Sequence, residues 1–324
     1  MLFNLYEEQI YMKSKETTRH YKSISEFHHD FGLPTPLHPL ISVVNYEDMR
    51  SVNHQRPARA TLDFYKISFV NGTKGTVKYG QNYFDFDQGG LVFVAPNQMI
   101  SAASPSDSLK GQIIYLHPEL IYNRNLNKKM KNYGFFSYSV AEALHLSEKE
   151  KDIIDGLFKQ IKSELSSAID IFSQELINSY IELFLDYSNR FYTRQFITRS
   201  TINSDLLSRL EILLSDYFNN GKAIESGLPT VQFLSSQLNF SPDYLSDMLR
   251  AYTGQNTQQH IHNKVIETAK NLLTSGNLTI AQIAYQLGFE HPQSFAKMFK
   301  RKINLSPMEF RQSLSFKAYR NLHQ

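Results

Sequence analysis

Apolar positions along this chain change their period twice. Between Thr61 and Leu116 they fall in short runs rich in β-branched and aromatic residues: Thr61–Val70, Gly75–Tyr79, Tyr83–Phe86, Leu91–Ala95 and Gly111–Leu116. Turn residues separate the runs, at Asn71-Gly72, Gly80, Gly89-Gly90 and Ser104-Pro105-Ser106. Short strands at such close spacing predict a small barrel or sandwich. The stretch before them, 1–58, reads as polar and irregular, with prolines at 34, 36 and 39.

The period then becomes helical. Over Ser147–Ser166, Ile153, Ile154, Leu157, Ile161 and Leu165 recur at helix spacing, and Ser147 with Glu150 predicts a capping box. A second helix is expected from about Asp170 to Phe191, with Ile171, Phe172, Leu176, Ile177, Tyr180, Ile181, Phe184 and Leu185 as a wide apolar stripe. One of these helices is read as packing on the β domain and the other as pairing with a second subunit. Residues 194–204 are polar and read as a linker, and everything beyond them reads as helix and turn.

That last region contains a repeat with a spacing of 49–50 residues. Val231–Gly254 and Ile280–Asn304 align Leu234 with Ile283, Leu238 with Leu287 and Phe240 with Phe289. After a one-residue insertion, Leu245, Met248 and Leu249 align with Phe295, Met298 and Phe299. Both copies follow one physical plan. A short helix starts at a Thr cap, Thr230 or Thr279. It ends where Asn239 or Gly288 can turn left-handed. An aromatic follows, and a second helix starts at Pro242 or Pro292, where proline suits the first helical position. Each copy is thus a helix-turn-helix, a unit whose second helix can enter the DNA major groove. The helix expected between the copies, Thr257–Ser275, would be ~28 Å long, close to the ~34 Å between successive major-groove faces. A helical repeat with no DNA role is the plain alternative, and the tandem copy weighs against it.

Charge sharpens the picture. The net formal charge is only +3, yet between His291 and Arg320 seven Lys or Arg residues face a single acid, Glu309. A local basic patch suits a polyanion partner. In the second unit the outward positions are His291, Gln293, Ser294 and Lys297. Gln can bond bidentately to adenine, and Lys can donate to guanine acceptors. Lys300, Arg301 and Lys302 lie further along and suit phosphates. In the first unit the outward positions are Ser241, Asp243, Tyr244, Ser246, Asp247 and Arg250. Asp247 there repels phosphate, although it could accept a bond from cytosine N4, and Arg250 is the only Lys or Arg between Pro229 and Asn263. The second unit is therefore expected to dominate affinity.

The C-terminal stretch resembles the DNA-binding domain of the AraC family of bacterial transcription regulators. The matching residues are Ser241-Pro242, Tyr244-Leu245-Ser246, Thr253-Gly254, the block from Ile283-Ala284 to Gly288-Phe289, Phe295 to Phe299-Lys300, and Ser306-Pro307 to Phe310-Arg311. The resemblance covers about 110 residues, and Gln293 and Lys297 fall where the family reads bases. The β region and its helices are similar in order to the family's cupin-like sensing domain. The resemblance implies an α+β, multidomain chain: a cupin-like sensing domain over 1–146, a helical packing or dimerisation region over 147–193, the linker 194–204, and the DNA-binding domain over 205–324. It also implies a homodimer, RNA polymerase as a partner, and control by a small molecule.

Other chemistry is scarce. The chain has no cysteine, which excludes disulfides, thiolate metal sites and thiol-based sensing. His117 is the one histidine between Thr61 and Phe135, so the multi-His metal site of a cupin enzyme is not expected there. No nucleophile-elbow or phosphate-loop motif occurs. The expectation is a non-enzyme with no cofactor. A small-molecule-binding protein or enzyme with an auxiliary helical domain stands as the alternative. Tyr65, Phe69, Tyr79, Phe84, Phe86 and Phe93 could line a pocket in the β domain or form its dry core. No apolar run is long enough to span a bilayer, and the first residues do not read as a signal peptide, so a cytoplasmic location is expected.

Overall fold

The computed structural model describes residues 18–49, 57, 59–71, 76–79, 82–85, 89–101, 110–122, 125–168, 170–198, 200–275 and 278–313. The chain is α+β and divides into two compact units, Met1–Gln195 and Phe196–Gln324. Among the described residues no helix is long and apolar enough to cross a membrane.

Among the described residues, the N-terminal unit is built on three sheets. Strands β1 (Thr18–Tyr21), β3 (Arg59–Leu62) and β8 (Met99–Ser101) form one sheet in the order β1-β3-β8. Strands β2 (Ile41–Asn45), β4 (Tyr65–Val70), β7 (Gly90–Val94), β9 (Gly111–Leu116) and β10 (Leu144–His145) form an antiparallel sheet in the order β10-β7-β4-β9-β2. Strands β5 (Thr76–Tyr79) and β6 (Asn82–Asp85) pair as a hairpin. The described sheets do not close into a barrel. The run Thr61–Val70, expected as one strand, is two strands in two sheets.

Period-two alternation assigns the faces of the five-stranded sheet. Ile67 pairs with Phe93 and Ile114, and Lys66 pairs with Val94 and Tyr115. Val70, Val92, Val94, Ile113 and Tyr115 join an aromatic interior with Tyr21, Phe27, Phe31 and Phe64. Phe27 and Phe31 come from helix α1 (Ile24–Asp30) and its C-cap, in the stretch that reads as irregular in sequence. The opposite face meets helices. Phe69 stacks on Phe158 of α3 (Glu148–Ser166), and Phe158 meets Phe184 of α4 (Ser173–Thr198). Phe93 packs on Phe135 and Phe136. With both faces covered, β7 is buried along its whole length, which is why it reads as a continuous apolar run. A short helix, α2 (Asn125–Met130), precedes the 134–137 turn.

Phe69 and Phe93 are core residues wedged against the helices, and Tyr65 packs on Phe136. Phe86 lies outside the described residues, as do the side chains of Tyr79 and Phe84.

The described residues of 194–204, expected as a linker, are helical: α4 runs to Thr198 and α5 (Ser200–Asn219) begins at Ser200. The polar residues that suggested a linker are bonded rather than solvated. Arg194 donates to both Glu150 oxygens at 3.0 and 2.7 Å and to the His145 carbonyl at 2.8 Å. Gln195 is buried, accepting from His145 N at 2.8 Å and donating to the Ala143 carbonyl. At the start of α3, Glu150 accepts from Ser147 N at 2.8 Å, as the capping pattern predicts.

The elements described in the C-terminal unit are helices: α5, α6 (Lys222–Ser226), α7 (Val231–Leu238), α8 (Pro242–Thr253), α9 (Thr257–Ser275), α10 (Ile280–Gln286) and α11 (Pro292–Ile303). A last helix begins at residue 307, and its described part runs to 313.

Candidate nucleic-acid interface

The two helix-turn-helix units are α7–α8 and α10–α11. Thr230 accepts from Phe233 N at 3.1 Å and so caps α7. Thr279 and Gln282 form a reciprocal capping box on α10, with bonds of 3.2 and 2.8 Å. Asn239 closes α7 at φ 62°, and Gly288 follows α10 at φ 89°. Each turn ends in the same backbone bond, Phe240 N to the Ser235 carbonyl or Phe289 N to the Ala284 carbonyl. Sequence reading missed the second pair of left-handed closers. Gly254 ends α8 at φ 76° and Asn304 ends α11 at φ 63°, again 50 residues apart. Their signal was the Gly or Asn at matching repeat positions.

The second helix of each unit buries one face. Leu245, Met248 and Leu249 are buried on α8, and Phe295, Met298 and Phe299 on α11. Between the units, α9 has 19 residues and buries Thr257, Ile261, Val265, Ile266, Ala269 and Leu273. Its length at ~1.5 Å per residue is ~28 Å.

The opposite face of α11 is polar and exposed at His291, Gln293, Ser294, Lys297, Lys300, Arg301 and Lys302. None of the four cations makes an ion pair among the described residues. Lys300, Arg301 and Lys302 also sit in the last turn of the helix, where the macrodipole favours positive charge. Arg311, counted with this patch in the sequence, is otherwise engaged: its guanidinium donates to the Leu278 carbonyl at 2.7 Å and holds the last helix to the start of α10.

The first unit presents much less. Arg250 is bound to Asp247 at 2.5 Å on its own helix. The Ser246 hydroxyl lies 3.1 Å from that of Thr257 at the start of α9. Ser241 accepts from Tyr244 N at 3.4 Å as the α8 cap, and Asp243 is exposed. Tyr244, expected to face outward, is buried: its ring stacks on Phe240 at 5.4 Å and meets Phe196 edge-on at 5.1 Å. It falls one position before Leu245 and shares the inner face of α8, so it leaves the outward set.

Two histidines on α9 carry a pH consequence. His260 Nε2 lies 2.9 Å from the Thr253 hydroxyl, and burial lowers its pKa below the ordinary imidazole value. Burial also lowers that of His262, and the Lys302 and Arg301 charges push it the same way. Both rings are therefore neutral in the folded unit at pH values where the unfolded chain is already protonated. Their contribution is fully present above the unfolded pKa of ~6.5 and is lost as pH falls through the folded values. We expect the Phe196–Gln324 helices to melt at lower temperature at pH 5 than at pH 7.5 in circular dichroism, with His260→Gln reducing the difference. An unchanged pH dependence in that variant would contradict the assignment.

Residues 234–313 match the family model described as a helix-turn-helix domain. The chain is similar to the uncharacterized HTH-type transcriptional regulator YfiF of Bacillus subtilis, 23% identical over 267 residues and covering 80% of each chain. It is 34% identical over 89 residues to YisR of the same organism, another uncharacterized HTH-type transcriptional regulator, covering 28% of this chain and 31% of that one. Among solved structures it is similar to the C-terminal domain of the response regulator yesN from Fusobacterium nucleatum, with 30% identity, 31% of this chain and 96% of that one covered, and a TM-score of 0.28. YfiF apart, the chain spans between about a tenth and two fifths of the length of the curated relatives it matches.

Fold and surface together define a tandem helix-turn-helix domain with one strongly basic second helix. Residues 234–313 of this chain form a helix-turn-helix domain.

Proposed function

We propose that this chain is a sequence-specific, DNA-binding transcription regulator in which α11 does most of the reading. The observation that carries this is the exposed row of Gln293, Lys297, Lys300, Arg301 and Lys302 on the second helix of a helix-turn-helix, whose four cations make no ion pair among the described residues. Gln293 and Lys297 reach base edges, and the three cations beyond them meet phosphates. Helix α8 enters the neighbouring groove, one α9 length away, and contributes positioning through Ser241, Asp243, Ser246 and Arg250 rather than much base contact. Binding to promoter DNA in gel-shift titrations tests the proposal. Affinity should fall steeply with salt, and removing Lys300, Arg301 and Lys302 together should flatten the log–log slope by about one for each phosphate no longer neutralised. A salt slope unchanged in that triple variant would refute the phosphate assignment, and no binding at low salt would refute the function.

The N-terminal unit is read as a cupin-like sensing domain, on the support of its short strands around an aromatic interior. It would act non-enzymatically, in the cytoplasm, by binding a small effector or by pairing two chains. For pairing, α4 offers a candidate surface. Leu176, Tyr180, Leu183 and Tyr187 follow a four–three–four spacing, and Leu176 and Leu183 are 44% and 45% exposed. Inside the same helix Ile177, Ile181, Phe184 and Leu185 pack on the unit's own core. One face thus holds the fold and the other is open to a partner copy. Leu176→Glu with Leu183→Glu should turn a dimer into a monomer by sedimentation while leaving the helix content intact; a dimer that persists would exclude this face. Two paired chains would place four recognition helices on neighbouring half-sites, with RNA polymerase as the further partner.

A further inference from the structure

The outer edge of the five-stranded sheet carries a cavity of about 340 Å³, within the N-terminal unit. Strand β2 is that edge, paired only with β9 among the described strands. Residues 33–37 line one side, and Lys162, Leu165 and Ser166 of α3 line another. Its volume falls at the lower end of small-molecule sites, and its lining is mostly apolar, through Leu33, Pro36, Val43 and Leu165. Tyr65, Phe69 and Phe93, offered by the sequence as pocket lining, are not among its lining residues.

Charge at this site is balanced. Lys162 contributes one cation and Asp48 one anion. Asp48 already accepts from Asn45 N at 3.3 Å and from the Asn45 amide at 2.8 Å. The carbonyl end of α3 adds partial negative charge beside Lys162. A charged occupant of either sign gains little here.

One polar group in the wall stands out. His28 is 4% exposed, and its Nδ1 lies 2.6 Å from the Pro34 carbonyl oxygen. A carbonyl only accepts, so Nδ1 carries the proton and Nε2 presents a lone pair. Burial keeps the ring neutral by lowering its pKa. Nε2 is buried and has no hydrogen-bond partner among the described residues. His28 is one of the residues that line the cavity, and a donor bound there reaches the buried Nε2 with a small shift of the lining.

We propose that this cavity binds a small, uncharged, largely apolar molecule with a single O–H or N–H donor, of the phenol or naphthol kind, which donates to His28 Nε2. This deepens the effector reading and rests on it for the consequence of binding: α3, which forms one wall, runs beside the helix proposed to pair two chains. The existence of the site is a separate matter, and binding to the chain without DNA tests it alone.

The chain contains no tryptophan, so emission from 2-naphthol can be followed directly in titrations of the full-length protein. We expect one 2-naphthol per chain. 2-Methoxynaphthalene, which is similar in shape but has no donor, should bind about tenfold more weakly, because it leaves the buried Nε2 unmet. His28→Asn keeps a donor for the Pro34 carbonyl and removes the Nε2 acceptor; it should bring the two ligands to equal affinity. Val43→Phe, a half-exposed edge position that tolerates an aromatic, should fill the cavity and abolish binding of both. Equal binding of the two ligands by the wild-type chain, a preference that survives His28→Asn, or binding that survives Val43→Phe would each overturn the proposal. So would no binding up to the solubility limit of 2-naphthol, which would leave water as the occupant. Displacement of bound naphthol by an extended apolar peptide pairing along β2, with no effect of His28→Asn, would overturn it in favour of strand addition.

Discussion

Gly288→Ala should unfold the second helix-turn-helix unit. Gly288 has φ 89°, and a Cβ placed there would lie 2.6 Å from the Gly227 carbonyl carbon, 2.8 Å from the Ala223 oxygen and 2.9 Å from the Gly227 oxygen. All three are backbone atoms, so no flexible side chain can give way. The turn between α10 and α11 is pressed against the end of α6, and only a residue without Cβ fits. Left-handed strain alone costs an Ala about 1–2 kcal/mol, and the overlap brings the total to ~3–5 kcal/mol, a large share of a domain's stability. Hydrogen exchange of the amides over 280–303 should accelerate sharply, and DNA binding should be lost with it. Gly254→Ala is the matched control. Its φ is 76° but no atom lies within 4 Å of its added Cβ, so the cost is strain alone, ~1 kcal/mol. Equal effects of the two substitutions would contradict the close approach to Gly227.

The second large effect is on recognition. Lys297→Ala combined with Gln293→Ala should weaken operator binding by roughly 2–6 kcal/mol if each makes one bidentate or charge-assisted bond to a base, while leaving low-salt, non-specific binding largely intact. Both side chains are exposed on α11 and neither is part of the core of Phe295, Met298 and Phe299, so the fold should be unaffected. Asp247→Ala in the first unit should do the opposite. It removes an acid from the DNA side and frees Arg250 from its 2.5 Å ion pair, so affinity should rise modestly and without sequence preference. If Ser246→Ala abolished binding while the α11 double variant bound normally, the ranking of the two units would be reversed.

The C-terminal unit was legible in the sequence because its information is local. Caps at Thr230 and Thr279, prolines at 242 and 292, and left-handed positions at Asn239 and Gly288 each act within one turn of the chain, and the repeat states them twice. The length of α9 followed from the same signals. Tyr244 was misread because aromatic residues next to a cap look like surface until the neighbouring ring is known; here Phe196, 48 positions away in sequence, covers it.

The N-terminal unit was less legible because its information is long-range. Strand β2 and helix α1 went unseen in a stretch that looked polar, since their burial depends on β9 and on the aromatic interior rather than on local pattern. The split between β3 and β4 has no turn signal stronger than Asp63, and only the pairing of Ala60 with Ile100 and of Ile67 with Phe93 separates the two strands. The segment 194–204 read as a linker because Arg194 and Gln195 are polar, although both are tied to residues some 44–50 positions away. The cavity beside His28 had no sequence signal at all: a proline-rich loop, an edge strand and the end of a distant helix line it.

Hydroxyl-radical footprinting on an operator selected from random DNA tests the central claim most directly. Two protected segments centred about 10 base pairs apart on one face of the duplex are predicted for each bound domain. The Lys297→Ala, Gln293→Ala variant should lose the segment under α11 and most of the affinity with it. A footprint limited to one segment, or loss of the α8 segment alone in that variant, would contradict a tandem reader led by its second unit.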